Sequence, residues 1–566
     1  MNAPDPTGAH TGAHAGAGVG PGGLAVLHGP ALGALPVDTL PRALRRAART
    51  PHGMLLLDAQ GRPAARSYAA LHEDALRALA ALNAAEVPPG ARVVVQTEHS
   101  GDLLTAFWAC VLGGMVPLPV AHDGGRAALV EAADAVGQGW LLGDTVHEPP
   151  PSLRRLGPVH GLAGHGRARP APVSADALAL LSLTSGSGGR PKAVALTHRQ
   201  ILSRAHATAL ARGLDSTTRS LNWMPLHHIS GIVMFHVRDV FLGCHQVHAD
   251  TAWVRADPLR WLDVAEAERI DTTWAPNHAF ALLVEALERG RGAGRSWDLS
   301  RLRYLMNGGQ AVKDRTARRF VAALAPHGLP PACVHPGWGM PETASGVVDS
   351  VFTCGEGPPR RHVPVGVPHP GVSVRVVDED ERPLAAGTVG RLQVRGAPVA
   401  DTYLQGGSLS PVPRSGDGWL VTDDLAFVAG GELTVTGRAD GLIEVDGAFF
   451  HGHEIEEAVE ELPCVRPSFT VACAGADSAG ADSAGADSAG GGGVAVFFCP
   501  RPGVPPRQAE AAVREQVGLR FGAGHVHAEA LAEHELPRTA TGKLRRSVLT
   551  ARLLSARERG HRERKA

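Results

Sequence analysis

Aromatic residues are scarce in this chain, 4% of 566 positions, and the seven cysteines are scattered without a Cys-x-x-Cys pair. An odd, dispersed set argues against a disulfide framework or a cysteine zinc site, and suits a reducing compartment, so the cytoplasm is the expected location. No apolar run reaches about 18 residues, so no membrane-spanning helix is expected. No charge dominates either: 55 Lys and Arg stand against 56 Asp and Glu, which lacks the basic footprint of a nucleic-acid binder. Met1–Gly33 has no basic start and reads as a spacer rather than a signal peptide. A hydrophobic content of 44% is ample for large buried cores.

What is present begins with one loop. The apolar run Ala177–Leu183 leads into Thr184, Ser185, Gly186, Ser187, Gly188, Gly189, Arg190, Pro191 and Lys192. Glycine lets a backbone approach a ligand, successive N–H groups can then point at phosphate oxygens, and Ser, Thr and Lys add donors and charge. The spacing does not fit the Walker pattern. A polyphosphate grip and a plain surface turn are both open on these residues alone.

Alternating strand and helix patterns run through Ala91–Gln96, Asp102–Val111, Val116–Val120, Leu178–Leu183, His198–Leu210, Gln246–Ala249 and Arg260–Arg269. They predict an α/β fold with parallel-rich sheets. From about residue 360 the texture becomes short strands with Gly-rich turns, a β-rich subdomain. The expected organisation is a disordered leader over 1–36, a large N-terminal domain over 37–437, a hinge at 438–441, and a small mobile α+β C-terminal domain over 442–566. The Ala/Asp/Ser/Gly tract inside 474–493 cannot bury a core and is expected to be a floppy loop.

Further motifs follow the loop in order. They are Trp223–Gly231 (WMPLHHISG), Asn307–Gln310 (NGGQ), Gly337–Thr343 (GWGMPET), Trp419–Leu425 (WLVTDDL), Thr436–Asp440 (TGRAD) and Leu536–Leu544 (LPRTATGKL). The set resembles the ANL adenylate-forming superfamily of acyl-CoA synthetases, adenylation domains and luciferases, over residues of about 37 to 556. The resemblance implies an AMP-forming ligase that uses ATP and Mg²⁺. A carboxylate attacking a phosphate brings two anions together, and the protein must align and neutralise them.

The resemblance carries over to single residues. Thr184, Ser185, Gly186, Ser187, Gly188, Gly189 and Lys192 would hold the β- and γ-phosphates. Glu342 would bind Mg²⁺, a hard cation suited to carboxylate oxygen. Thr343 would touch the α-phosphate. Asn307, Gly308, Gly309 and the flat face of Trp338 would line the adenine. Asp424 would accept the ribose hydroxyls, and Arg438 would add a contact there. Lys543 would be the catalytic cation between substrate carboxylate and α-phosphate. Asp440 would be the hinge.

The chain departs from the family pattern at Gly188, at Ala193, at Pro341 and at Asp423, which adds a negative charge beside Asp424. His228 stands near the reacting carboxylate in the family pattern. Domains for α-amino acids carry an aspartate at the next position, where this chain has Ile229. That argues against an α-amino acid. The pocket candidates are Phe235, Asn277 and Phe280, in segments similar to fatty acyl-AMP ligases. No carrier-type serine segment is evident after Lys543, so the expected acceptor is a separate thiol, CoA or an acyl carrier protein. A ligase with a non-thiol second step (amide, N–N bond or nitrite-dependent diazo formation) is the alternative.

Overall fold

A computed structural model describes residues 19–20, 23–162, 166–184, 191–475, 493–539 and 542–565. Ser185, Gly186, Ser187, Gly188, Gly189 and Arg190 of the phosphate-type loop lie outside the described residues, as do 476–492 of the low-complexity tract.

The α/β expectation holds. A nine-stranded sheet among the described residues carries Gly53–Leu57, Arg219–Asn222, His245–Ala249, Thr272–Trp274, Tyr304–Asn307 and Val334–Met340, all mutually parallel. Every residue of Tyr304–Asn307 is buried, as expected of a strand covered by helices on both faces. A second, all-parallel sheet holds Arg92–Gln96, Val116–Pro119, Gly139–Gly143 and Leu153–Gly157. Helix His198–Arg212 shows why these crossovers stop and start where they do. Thr197 and Gln200 form a capping box, and Gly213 closes the helix in the left-handed conformation at φ 58°.

The β-rich region is an antiparallel sheet of Val372–Val377, Gly390–Gly396, Leu420–Ala429 and Glu432–Arg438. A further strand of this sheet corrects the expected leader. Leu24–His28 pairs with Val372–Val377, and Ala25 and Leu27 are fully buried. The alternation Leu-Ala-Val-Leu hides one face of this strand in the core, so the ordered chain begins before residue 36.

Beyond Asp440 lie the hairpin Leu442–Val445/Ala448–His451, helix Gly452–Glu460, and a sheet of Val465–Ala474, Val494–Pro500 and Val526–Ala530. This part has two small cores of its own, one around Ile455, Phe498 and Val513, the other around Phe469, Phe497 and Leu549. Its links to the larger part are largely ionic: Lys313 with Glu460 at 2.8 Å, Arg315 with Glu461 at 2.9 Å, Arg466 with Glu285 at 3.0 Å, and Arg361 with Glu454.

Among the described residues, no helix is long and apolar enough to cross a membrane.

Candidate active site

The carboxyl ends of the parallel strands, the β-rich sheet and the C-terminal part meet at a cavity of about 410 Å³. Trp338, Asp424, Arg438, Asp440 and Lys543 all line it. Sequence alone separates these residues by up to about two hundred positions; strand pairing closes the gap. Asp424 sits directly opposite Arg438 in the antiparallel register. Two glycines allow the close approach at the end of Tyr304–Asn307. A Cβ on Gly308 would come within 2.6 Å of the Gly337 carbonyl oxygen, and Gly309 takes φ +78°, which side chains rarely adopt.

Trp338 Nε1 donates to Asp424 Oδ2 at 2.8 Å, and Thr422 Oγ1 accepts from the Asp424 backbone N–H at 3.2 Å. One carboxylate oxygen is therefore held by indole while the other is left for a hydroxyl donor. Burial pushes the Asp424 carboxyl up, opposed by the Trp338 hydrogen bond and the charges of Arg438 and Lys543. Arg438 is shared by two carboxylates, Asp423 Oδ2 at 2.9 Å and Asp440 Oδ1 at 3.0 Å. The unusual Asp423 thus has a partner, and through Arg438 it is linked to Asp440.

Lys543 lines the cavity with its residue exposed to solvent, and among the described residues its ammonium forms no ion pair. Burial lowers its pKa, and the nearby Arg546 and Arg438 charges lower it further, against Asp424 and Asp440. Its loop is held by a residue that sequence reasoning missed. Arg538 donates to the Gly542 and Ser468 carbonyl oxygens, both at 2.7 Å, and lies 4.6 Å from the Phe469 ring centroid. His278, also missed, lines the cavity under Gly542, and its buried Nδ1 has no partner among the described residues. A lone histidine after Asn277 carries no motif signal, so only the packing reveals it.

A second cluster forms where strand Lys192–Thr197 pairs with Leu178–Thr184 and with Thr402–Gln405. Lys192 lies opposite Thr184, whose buried Oγ1 is unpartnered among the described residues. Tyr403 donates its hydroxyl to Glu342 Oε1 at 2.8 Å, and the Lys192 ammonium lies 3.9 Å from the Tyr403 ring centroid. Thr343 Oγ1 donates to the Met340 or Ser345 carbonyl oxygen, at 2.9 and 2.6 Å. The turn that follows is strained, with Ala344 at φ 52° and Ser345 at φ 103°.

Other expected residues fall elsewhere. Asn277 lines the cavity and donates to the Ala311 carbonyl. Asn307 is fully buried and donates from Nδ2 to the Ala275 carbonyl at 2.9 Å, so it braces the strand end. His228 is not on the cavity wall; its Nδ1 pairs with Ser230 Oγ at 2.7 Å, and burial with the His227 charge pushes it down to about 4. The pocket candidates Phe235 and Phe280 lie in a core cluster rather than on the wall of this cavity. Phe280 stacks on Phe320 at 3.9 Å inside the core, and Phe235 is buried on the π-wound segment Ser230–Val237 beneath Arg238. Both rings are packed among apolar side chains.

A profile of the AMP-binding enzyme family matches residues 44–404. Aspulvinone E synthetase of Aspergillus terreus is 30% identical over 536 residues, 89% of this chain and 56% of that protein. The chain spans about half the length of the curated relatives it matches. Among solved structures, the adenylation domain of a keto acid-selecting NRPS module bound to keto acyl adenylate is 30% identical, covering 89% of this chain and 100% of that one at a TM-score of 0.69. The McyG A-PCP structure complexed with phenylalanyl-adenylate is 27% identical, covering 95% of this chain and 88% of that one at a TM-score of 0.82. With this likeness across most of its length, the chain belongs to the AMP-binding enzyme family of the ANL adenylate-forming superfamily and is an AMP-forming ligase.

Proposed function

We propose that this ligase activates an α-keto acid by adenylation with ATP, and passes the acyl group to the thiol of a carrier protein in secondary metabolism. The observation that carries the reading is the Lys543 ammonium, without an ion pair among the described residues, lining one cavity with Asp424, Arg438 and Trp338. A cation facing the cavity beside a ribose-type acceptor is suited to stabilise charge on a reacting carboxylate and phosphate. Lys543 holds that charge, Asp424 accepts from a sugar hydroxyl, and Thr184 Oγ1 offers a free donor to a phosphate oxygen.

The residues also fit a magnesium ion. Glu342 Oε1 is fixed by Tyr403 while Oε2 takes no hydrogen bond among the described residues. One carboxylate plus nucleotide phosphates is the kind of set Mg²⁺ takes, rather than an all-protein cage. When bound, the ion would neutralise phosphate charge. No group of three His, Cys, Asp or Glu among the described residues forms such a cage.

Two observations support a keto acid over an amino acid. Ile229 is buried in the apolar core and offers no carboxylate to a substrate ammonium. The keto acid-selecting domain is 30% identical across its whole length. A carrier-protein thiol is supported by the A-PCP likeness and by relatives about twice as long as this chain.

The test is ATP-dependent pyrophosphate release with α-keto acids, their α-amino counterparts, fatty and aryl acids, and nitrite, with Lys543→Ala as control. Release with a keto acid, lost in the variant, supports the reading. Release with the amino acid alone overturns the substrate class, and release with nitrite alone moves the chain to a non-thiol second step.

A further inference from the structure

Tyr403 lies outside every motif that marks the site, yet it touches two of its charged groups at once. Its strand, Thr402–Gln405, is stitched to the strand that begins at Lys192, with Val194 directly opposite Tyr403. That register puts the ring under the Lys192 ammonium, 3.9 Å from its centroid. The hydroxyl at the other end of the ring reaches Glu342 Oε1 at 2.8 Å. A backbone bond reinforces the alignment, since the Ala400 N–H donates to the Glu342 carbonyl oxygen at 2.7 Å. Tyr403 is 8% exposed, so neither contact is diluted by bulk water.

The chemistry of each contact is directional. A phenol hydroxyl facing a carboxylate can only donate, because the carboxylate has no proton to give. Donation to Oε1 leaves Oε2 as the atom free for a ligand. The ring face attracts the Lys192 ammonium electrostatically and holds it at the end of the phosphate-type loop.

We propose that Tyr403 is a positioning residue that joins the metal and phosphate groups into one site: its hydroxyl aims Glu342 at a divalent cation, and its ring seats Lys192 for the nucleotide phosphates. This rests on the functional reading above only for the nucleotide, not for the acid. The two contacts are separable by substitution. Tyr403→Phe keeps the ring and removes the hydroxyl, and Tyr403→Leu removes both.

The experiment is ATP binding to the full chain by titration calorimetry, once across a series of free Mg²⁺ concentrations and once in EDTA. For Tyr403→Phe, the Mg²⁺ concentration that half-restores tight ATP binding should rise about tenfold, while binding in EDTA stays within twofold of the parent. For Tyr403→Leu, binding in EDTA should also weaken about threefold to tenfold. In a Glu342→Gln background, Tyr403→Phe should add nothing, because the hydroxyl acts through that carboxylate. A Tyr403→Phe variant with unchanged Mg²⁺ dependence overturns the proposal, even if its melting temperature falls, since a packing role alone would do that. Additive effects of Tyr403→Phe and Glu342→Gln would overturn it as well. If the parent binds Mg²⁺ and ATP but no acid in the panel releases pyrophosphate, the acid reading fails and Tyr403 is still judged by binding. If the parent shows no Mg²⁺-dependent ATP binding, both fall.

Discussion

The larger part of the molecule and the part beyond Asp440 present their site residues in opposite ways. Trp338, Asp424, Glu342 and Thr343 are held on or beside sheet strands by buried hydrogen bonds to Thr422, Tyr403, Met340 and Ser345. Lys543 arrives on a loop pinned by Arg538, from a region attached through ion pairs such as Lys313–Glu460 and Arg315–Glu461. Hydrogen bonds buried on sheet strands are little screened by salt, whereas ion pairs at an interface weaken with screening and can be remade. On the proposed reading, the difference makes the nucleotide side the prebuilt half and Lys543 the half brought in by a contact of a kind that salt can weaken.

Acid should break the larger part first and most strongly. Burial pushes His198, His228, His236 and His335 each down to about 4. Between pH 6.5 and 4 the unfolded chain binds protons that the folded chain refuses, so stability is intact above about 6.5 and is lost as pH falls through that window. Lowering a pKa by one costs roughly 1.4 kcal/mol once the group must be protonated, so four such histidines together rival the stability margin of an ordinary domain. Thermal melts should drop steeply below pH 6. A flat melting temperature down to pH 4.5 would show that these rings are not neutral by burial.

The next largest effect is on the delivered cation. Lys543→Ala should lower the adenylation rate by about 10²–10³ with ATP binding nearly unchanged, because the charge acts on the reacting centre. Asp424→Asn should do the reverse. Losing the charged acceptor raises the KM for ATP by roughly 10–100-fold, and pyrophosphate-exchange kinetics separate the two. Equal losses in both parameters from both variants would erase the contrast between a prebuilt and a delivered half.

The interface itself is tested by Lys313→Met. It strands the buried Glu460 carboxylate and should cost about tenfold in adenylation, with most of it regained in Lys313→Met/Glu460→Leu. A double variant as poor as the single one would mean the pair does not set the docking. Asp423→Gly is the smallest change. Arg438 keeps Asp440, all three side chains are about half exposed, and the KM for ATP should move less than about twofold.

Much of the fold was legible because hydrophobic period and turn chemistry are local. The capped helix His198–Arg212 and the buried strand Tyr304–Asn307 announce themselves within a dozen residues. Leu24–His28 did not, because five residues beside a Gly-rich spacer gain their burial only from a strand about 350 positions away. The charged residues that share the cavity, Asp424, Arg438 and Lys543, were singled out through motif order. The pocket rings were not, since a Phe in a core and a Phe in a cavity wall look alike in sequence; stacking on Phe320 decides Phe280.

By itself, the order of residues determined the chemistry on offer: a Ser/Thr/Gly loop, Glu342, Asp424, Arg438 and Lys543, and hence adenylate formation. Covalent identity needs no partner, so it is written in the chain. The tertiary structure alone decided which groups share a cavity. It aimed Glu342 through Tyr403, gave Arg438 two carboxylates, left the Lys543 ammonium unpaired among the described residues, and paired His228 with Ser230 off the cavity wall. These are consequences of register and burial between distant segments, and such pairings are set by the global packing rather than by any local pattern.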